Sequence, residues 1–413
     1  MINSDSSGAP ANGEQPETTG RYIVVFADGE PDPPGVLRAT AGVSNVADTR
    51  DFDQQRVGAA DIANADAMVF SKLGVAVVSA DQRQMDALRA ASDRRDIASV
   101  TEELIHHVLA DTESASAGSA AYSTQFKDSS EYTWGLQAVG ADSSPWTGKG
   151  VKVAVLDTGL DLTHPDFASR SVTAESFVKD ETAQDGHGHG THCVGTSCGP
   201  RILATGPGYG VANEAEIFVG KVMSDSGSGT DSDILAGINW AVNSGCAAIS
   251  MSLGANVRQV HPPYTAVGKR ALDQGSMIIA AAGNNADRDN GNYGFVGTPA
   301  NSPFIMAVGA LDRQLDIAPF SARTLAGRGG QVDIAAPGVY VHSSWPMPKR
   351  YNTLSGTSMA TPHVAGATAL WAEATGYRGR ELWSVIMQES RRLPVASLDA
   401  GAGLVRAPQF RPA

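Results

Sequence analysis

Six short apolar runs, most of them closing on Gly, Asp or Asn, set the strongest limit on how this 413-residue chain can fold. They are VKVAVLDTG (151–159), EIFVGKVM (216–223), AAISMSLG (247–254), MIIAAAGNN (277–285), FIMAVGA (304–310) and VDIAAPG (332–338). None alternates apolar with polar residues, so each reads as a strand buried on both faces, which is what a parallel sheet covered by helices requires. Stretches such as SDILAGINWAVNSG (232–245) supply those helices. In such folds functional groups collect where strands deliver their carboxyl ends, and Asp157, Ser252 and Asn284 stand at such ends. No internal repeat is found.

The first part of the chain has a different texture. After a polar tail (1–20), RYIVVF (21–26) reads as a strand and FSKLGVAVVS (70–79) as a strand or hairpin. DQRQMDALRAASD (81–93) reads as a helix opened by an Asp cap, and IASVTEE (97–103) as a further strand. The order strand, helical stretch, strand, helix, strand predicts a small α+β sandwich of the split βαβ type over 21–109. ADTESASAGSAAYSTQ (110–125) has little to bury, which makes 110–132 the linker or processing region and 133–413 the main domain.

Composition removes several classes. With 44 acidic against 31 basic side chains, a net charge of -13 excludes a footprint for nucleic acid or an anionic membrane. No stretch approaches the roughly 18 apolar residues of a membrane span. The first twenty residues lack the basic start and apolar core of a signal peptide, so the chain is read as leaderless or as having lost a leader, and its compartment stays open. Cys193, Cys198 and Cys246 are too few for a disulfide framework; the odd count leaves at least one thiol free, and whether Cys198 pairs with Cys246 is not readable.

The chemistry concentrates in three places. In DGHGHGTHCVGT (185–196), His187, His189, His192 and Cys193 admit two readings: zinc ligands, or one catalytic base amid scaffolding. Asp157 is either a turn cap or a carboxylate aimed across a cleft. Ser358, in SGTSMATPHVAGATALW (355–371), is either an ordinary helix cap or a hydroxyl at the positive end of a helix. Pro362, four residues on, speaks against a routine cap. The nucleophile elbow of an α/β-hydrolase fails, because Ala360 replaces its second Gly and the only later histidine is His363. The order acid, base, nucleophile does fit Asp157, a histidine of 185–196 and Ser358.

AVLDTGLDLTHPDF (154–167), GHGTHCVGT (188–196), AAAGNN (280–285) and SGTSMATPHVAG (355–366) resemble, in the same order, the four signature blocks of the subtilases, the subtilisin-like serine proteases; the second and third are closer to the proteinase K-like branch. The resemblance covers about 133–407. It implies a subtilisin-like three-layer α/β fold, with the small α+β ferredoxin-like unit before it as prodomain. It also implies a serine endopeptidase with Ser358 as nucleophile, His189 as general base and Asp157 as its orienter. Asn284 and the Ser358 N–H would bind the oxyanion, His192 would be a buried structural histidine, Cys193 a free thiol beneath the site, and His187 has no counterpart.

On the substrate side the resemblance places a peptide as an added strand between Gly227, Ser228 and Gly229 on one side and Ser252, Leu253 and Gly254 on the other. Gly297 would form the base of the P1 pocket, which would take large apolar residues. Asp231 falls where relatives often carry an aromatic lid over P4, leaving that preference open. Asp333, with carbonyls of Pro303 and Ile305, matches a structural calcium site, the competing view being a solvent-facing Asp; CGPRILATGPG (198–208) replaces the loop of another calcium site, which is not predicted. No organic cofactor is implied. The N-terminal unit would fold the enzyme, inhibit it from within and be cut away at a bond between about 104 and 132. A protein or peptide would be the substrate and a monomer the working form. Two alternatives compete: a peptide-binding pseudoprotease that keeps its prodomain, and an esterase with the same triad.

Overall fold

The computed structural model describes residues 16–52, 57–92, 96–109, 112–113, 125–327 and 329–410. Most of the tail and of the 110–132 segment anticipated above therefore lies outside the described residues.

The centre is a seven-stranded parallel sheet in the order Ile334–Pro337, Met306–Leu311, Met277–Ala281, Ala248–Met251, Lys152–Asp157, Glu216–Lys221 and Val172–Ser176. Six of these strands fall in the six apolar runs. The seventh, VTAES at the sheet edge, is half-buried on all its residues and carries no apolar run that would announce it. Helices Thr357–Thr375 and His189–Cys198 cover one face, and Asp231–Asn243 and Pro262–Asp273 the other, giving the expected α/β layers. Among the described residues, no helix is long and apolar enough to cross a membrane.

A second sheet gathers the N-terminal strands in the order Ile97–Val108, Thr18–Phe26, Val75–Val78, Ala67–Phe70 and Val46–Asp48. Thr18–Phe26 begins inside the anticipated tail, and 67–78 forms a hairpin. Helix Gln82–Ala91 opens on an Asp81 cap whose side chain accepts from the Gln84 N–H, while Gln84 reaches back to the Asp81 N–H. A second helix, Pro33–Ala41, falls in the interval between the first two strands where the sequence suggested a helical stretch without bounds.

The apolar run YIVVF is continuous because its strand is covered twice. Val24 and Phe26 pack with Leu37, Met85 and Leu88 of the unit's own helices. Ile23 and Val25 face the other way and join the core that contains Ile234, Leu235 and Tyr264 of the main domain. Arg270 fixes the register of this docking by donating to the carbonyls of Leu73, Gly74 and Phe26 at 2.7–3.0 Å. The last N-terminal strand then leaves its own sheet: Ile105–His107 pairs antiparallel with Ser228–Thr230, and His107–Val108 with Leu253–Gly254.

Candidate active site

Asp157 ends the strand Lys152–Asp157, and His189 is the first residue of the helix His189–Cys198. Gly188, at φ 107°, turns the chain into that helix; a Cβ there would lie 2.4 Å from the Trp345 ring. Gly190 is equally constrained, since a Cβ would sit 2.3 Å from the Gly159 carbonyl oxygen. These two glycines let the helix start press against the strand end. As a result His189 Nδ1 donates to Asp157 Oδ1 at 2.7 Å, with both side chains almost fully buried. The Thr158 N–H donates to the same carboxylate oxygen at 2.8 Å.

Asp185 organises this loop, and sequence reasoning missed it. Its Oδ1 accepts from the N–H groups of His187 and Gly188 and from the Thr158 hydroxyl, and its Oδ2 from the N–H and hydroxyl of Thr191. Charge-assisted bonds of this kind are worth about 1.5–3 kcal/mol each. Behind Asp157, the fully buried Lys221 donates from Nζ to the Thr158 carbonyl at 2.7 Å and to Asp225 at 2.5 Å. A lysine inside an apolar run is a signal that could have been read.

Ser358 is the second residue of the helix Thr357–Thr375. Its hydroxyl donates to the Ser252 carbonyl at 3.3 Å, and the Ser252 hydroxyl donates to the Ser358 carbonyl at 2.7 Å. Pro362 explains that return bond. In a regular helix the N–H of residue 362 would take the Ser358 carbonyl; proline has none, so the carbonyl turns to Ser252 and to the Cys193 thiol at 3.7 Å. Cys193 also lies 3.9 Å from His189 Nδ1, so one thiol touches both residues. Asn284 accepts on Oδ1 from the N–H and the hydroxyl of Thr357, at 2.9 and 2.8 Å, which directs its NH2 away from Thr357.

The histidines of 185–196 do not converge on one point. His187 is exposed, and His192 is buried with Nε2 on the Val341 carbonyl at 3.1 Å. Asp157, His189 and Cys193 do place ligand-type atoms within 4.8 Å of one another. Burial, however, pushes the Cys193 thiol up to about 11, so it stays protonated, and His189 Nδ1 is already taken by Asp157. All three cysteines are free and buried.

The suggested substrate segments lie along one groove: Ser228–Thr230 and Leu253–Gly254 flank it, and Thr298 pairs with Ala255 at its side. A Cβ on Gly297 would meet the Ala255 carbonyl oxygen at 2.5 Å, so glycine there serves the close packing of two backbones as well as an open pocket.

Burial holds His192 down to about 3, with the neighbouring His189 adding to it, and holds His363 down to about 4. Both fall below the value of about 6.5 in an unfolded chain, so the unfolded state binds more protons below that pH. The stability these two rings contribute is therefore complete above pH 6.5 and drains away as pH falls toward 3. In a Ser358→Ala background, the melting temperature is expected to drop steadily from pH 7 to pH 4; a flat profile would contradict the assignment of both rings as neutral.

The sequence profile of the subtilase family matches residues 148–404. The chain belongs to this family. Subtilisin Savinase of Lederbergia lenta is 43% identical over 246 residues, covering 57% of this chain and 82% of that protein. Subtilisin E of Bacillus subtilis is 40% identical over 238 residues, 57% of this chain and 58% of that protein. Thermitase of Thermoactinomyces vulgaris is 40% identical over 226 residues, 54% of this chain and 76% of that protein. This subtilase is a serine endopeptidase acting on proteins or peptides.

Proposed function

We propose that this subtilase is a zymogen in which residues 21–109 inhibit the enzyme until it cuts itself, and that it hydrolyses peptides through an acyl-enzyme on Ser358. The observation carrying this reading is the course of the strand Ile97–Val108. It enters the groove as a substrate would, antiparallel between Ser228–Thr230 and Leu253–Gly254, with the Val108 N–H on the Gly227 carbonyl at 2.8 Å. Beyond it, Thr112–Glu113 pairs with Leu354–Ser355, just ahead of Ser358 in sequence. A chain held on both sides of the nucleophile supports a cut at the Leu109–Ala110 bond. The Leu109 side chain comes within 3.6 Å of where a Cβ on Gly254 would be, which supports an apolar P1 preference with Gly297 at the pocket base. Placement on the proteinase K-like branch is a reading of two short blocks, 188–196 and 280–285.

In this mechanism the Ser358 hydroxyl turns from the Ser252 carbonyl toward His189, which takes its proton as the oxygen bonds to the substrate carbonyl carbon. Asp157 holds the Nδ1–H tautomer and stabilises the imidazolium. The Asn284 NH2 and the Ser358 N–H receive the oxyanion. His189 returns the proton to the leaving amine as the C–N bond breaks, and water then hydrolyses the ester by the same steps in reverse.

A serine-directed fluorophosphonate probe tests this: it is expected to label Ser358 in the processed protein, and Asn284→Ala to lower kcat by about 10²- to 10³-fold, the loss known for an oxyanion-hole asparagine in a subtilisin. An unlabelled, processed protein would contradict the mechanism.

We also propose a structural calcium on Asp333 with the carbonyl oxygens of Pro303 and Ile305. Among the described residues Asp333 Oδ2 accepts the Ala307 N–H alone, at 2.8 Å, and burial pushes the carboxyl up to about 7. A hard cation supplies the missing charge. Calcium is expected to raise the melting temperature of wild type but not of Asp333→Asn; equal shifts would remove the site.

A further inference from the structure

The groove holds a buried carboxylate that the hydrolytic steps do not use. Asp231 is the first residue of the helix Asp231–Asn243 and is wholly inaccessible. Its Oδ1 accepts from His106 Nε2 and from the Tyr264 hydroxyl, both at 2.7 Å; its Oδ2 accepts from the Leu104 N–H at 2.7 Å and lies 3.2 Å from His261 Nε2. Two of these partners, Tyr264 and His261, belong to the main domain. The other two, His106 and the Leu104 N–H, come from the strand lying in the groove.

The His106 ring is fully buried and stands edge-on to Tyr264, with centroids 5.7 Å apart and planes at 86°. Among the described residues His106 Nδ1 is buried without a hydrogen-bond partner, so the ring presents one donor, Nε2–H, to the carboxylate. Burial alone would raise the Asp231 pKa, but the hydrogen bonds it accepts, those of His106 and His261 among them, outweigh it and hold the carboxylate ionised. The next residue, His107, points out to solvent, so selection falls on one position only.

We propose that Asp231 makes this a histidine-selecting endopeptidase, reading an imidazole at the fourth residue before the cut, the place His106 holds when Leu109 is the first. This rests on the reading above that the strand 105–109 lies in the groove as a substrate does. An aliphatic side chain at that position leaves the carboxylate short of a donor in a site closed to water. A lysine or arginine brings a full charge and several extra N–H groups to a carboxylate already bonded by Tyr264 and His261, with no acceptor for the surplus.

The test uses protein that has processed itself and labels with the fluorophosphonate probe. Quenched fluorescent peptides of sequence ELIXHVLADT, taken from residues 103–112, carry His, Leu, Phe, Lys or Arg at X. With X as His, kcat/KM is expected to exceed every other peptide by about 10- to 100-fold, with cleavage between Leu and Ala by mass spectrometry. Asp231→Leu is expected to reverse the order of His and Leu; the wild-type series decides the matter even if that variant fails to fold. Equal rates across X, or cleavage at another bond, would overturn the inference and leave the protease reading standing. Labelled enzyme that cuts none of the peptides would remove both the inference and the placement of 105–109 as substrate.

Discussion

Ser358→Ala is expected to leave the 413-residue chain whole, whereas the wild type resolves by intact mass into an N-terminal fragment ending at Leu109 and a remainder beginning at Ala110. The substitution removes one oxygen from the second residue of a buried helix. The bond it loses is the long one to the Ser252 carbonyl, at 3.3 Å, while the Ser252 hydroxyl keeps the Ser358 carbonyl. Little else in the fold depends on it, so the variant should fold and melt like an uncut wild-type chain. Its residual activity should fall about a million-fold, the loss found when a subtilisin is deprived of its nucleophile. A mutant that still splits would assign the cut to a contaminating protease, and fragments meeting elsewhere would displace the register argued from Val108 and Thr112.

Asp157→Asn carries the second largest effect. The carboxylate accepts from His189 Nδ1 at 2.7 Å and from the Thr158 N–H at 2.8 Å on one oxygen, in a site closed to water. An amide is nearly the same shape but presents N–H donors and no charge. Turned one way, it favours the wrong imidazole tautomer; turned the other, it cannot stabilise the imidazolium formed when Ser358 gives up its proton. Turnover is expected to drop about 10⁴-fold with KM nearly unchanged. Stopped-flow hydrolysis of the histidine-containing peptide measures it; a loss confined to KM would reassign Asp157 to substrate binding.

How much of this was legible beforehand depends on how local the information is. The six core strands announced themselves because each is buried on both faces, so its apolar run is unbroken. The edge strand Val172–Ser176 was missed for the opposite reason: half-exposure lets it carry Thr and Glu, just as it left the helical stretch at Pro33–Ala41, with its Thr, Arg and Gly, without readable bounds. Glycines 188 and 190 flagged the turn that aims His189, since only they tolerate that backbone and that closeness. Asp185, which holds the same turn, looked like any loop aspartate until Thr158 and Thr191 closed on it.

By itself, then, the sequence determined what is encoded within a few neighbouring residues: buried strands, helix starts, and the short blocks that present Asp157, His189, Asn284 and Ser358. Tertiary structure alone decided which distant groups meet. Asp231 and His106 are 125 positions apart, and no periodicity links them. Their bond exists because Ile23 and Val25 on one side of a sheet seat the N-terminal unit against two helices, and Arg270 fixes where it sits. A buried carboxylate must find donors wherever packing brings them. Here packing delivered an imidazole from the strand in the groove.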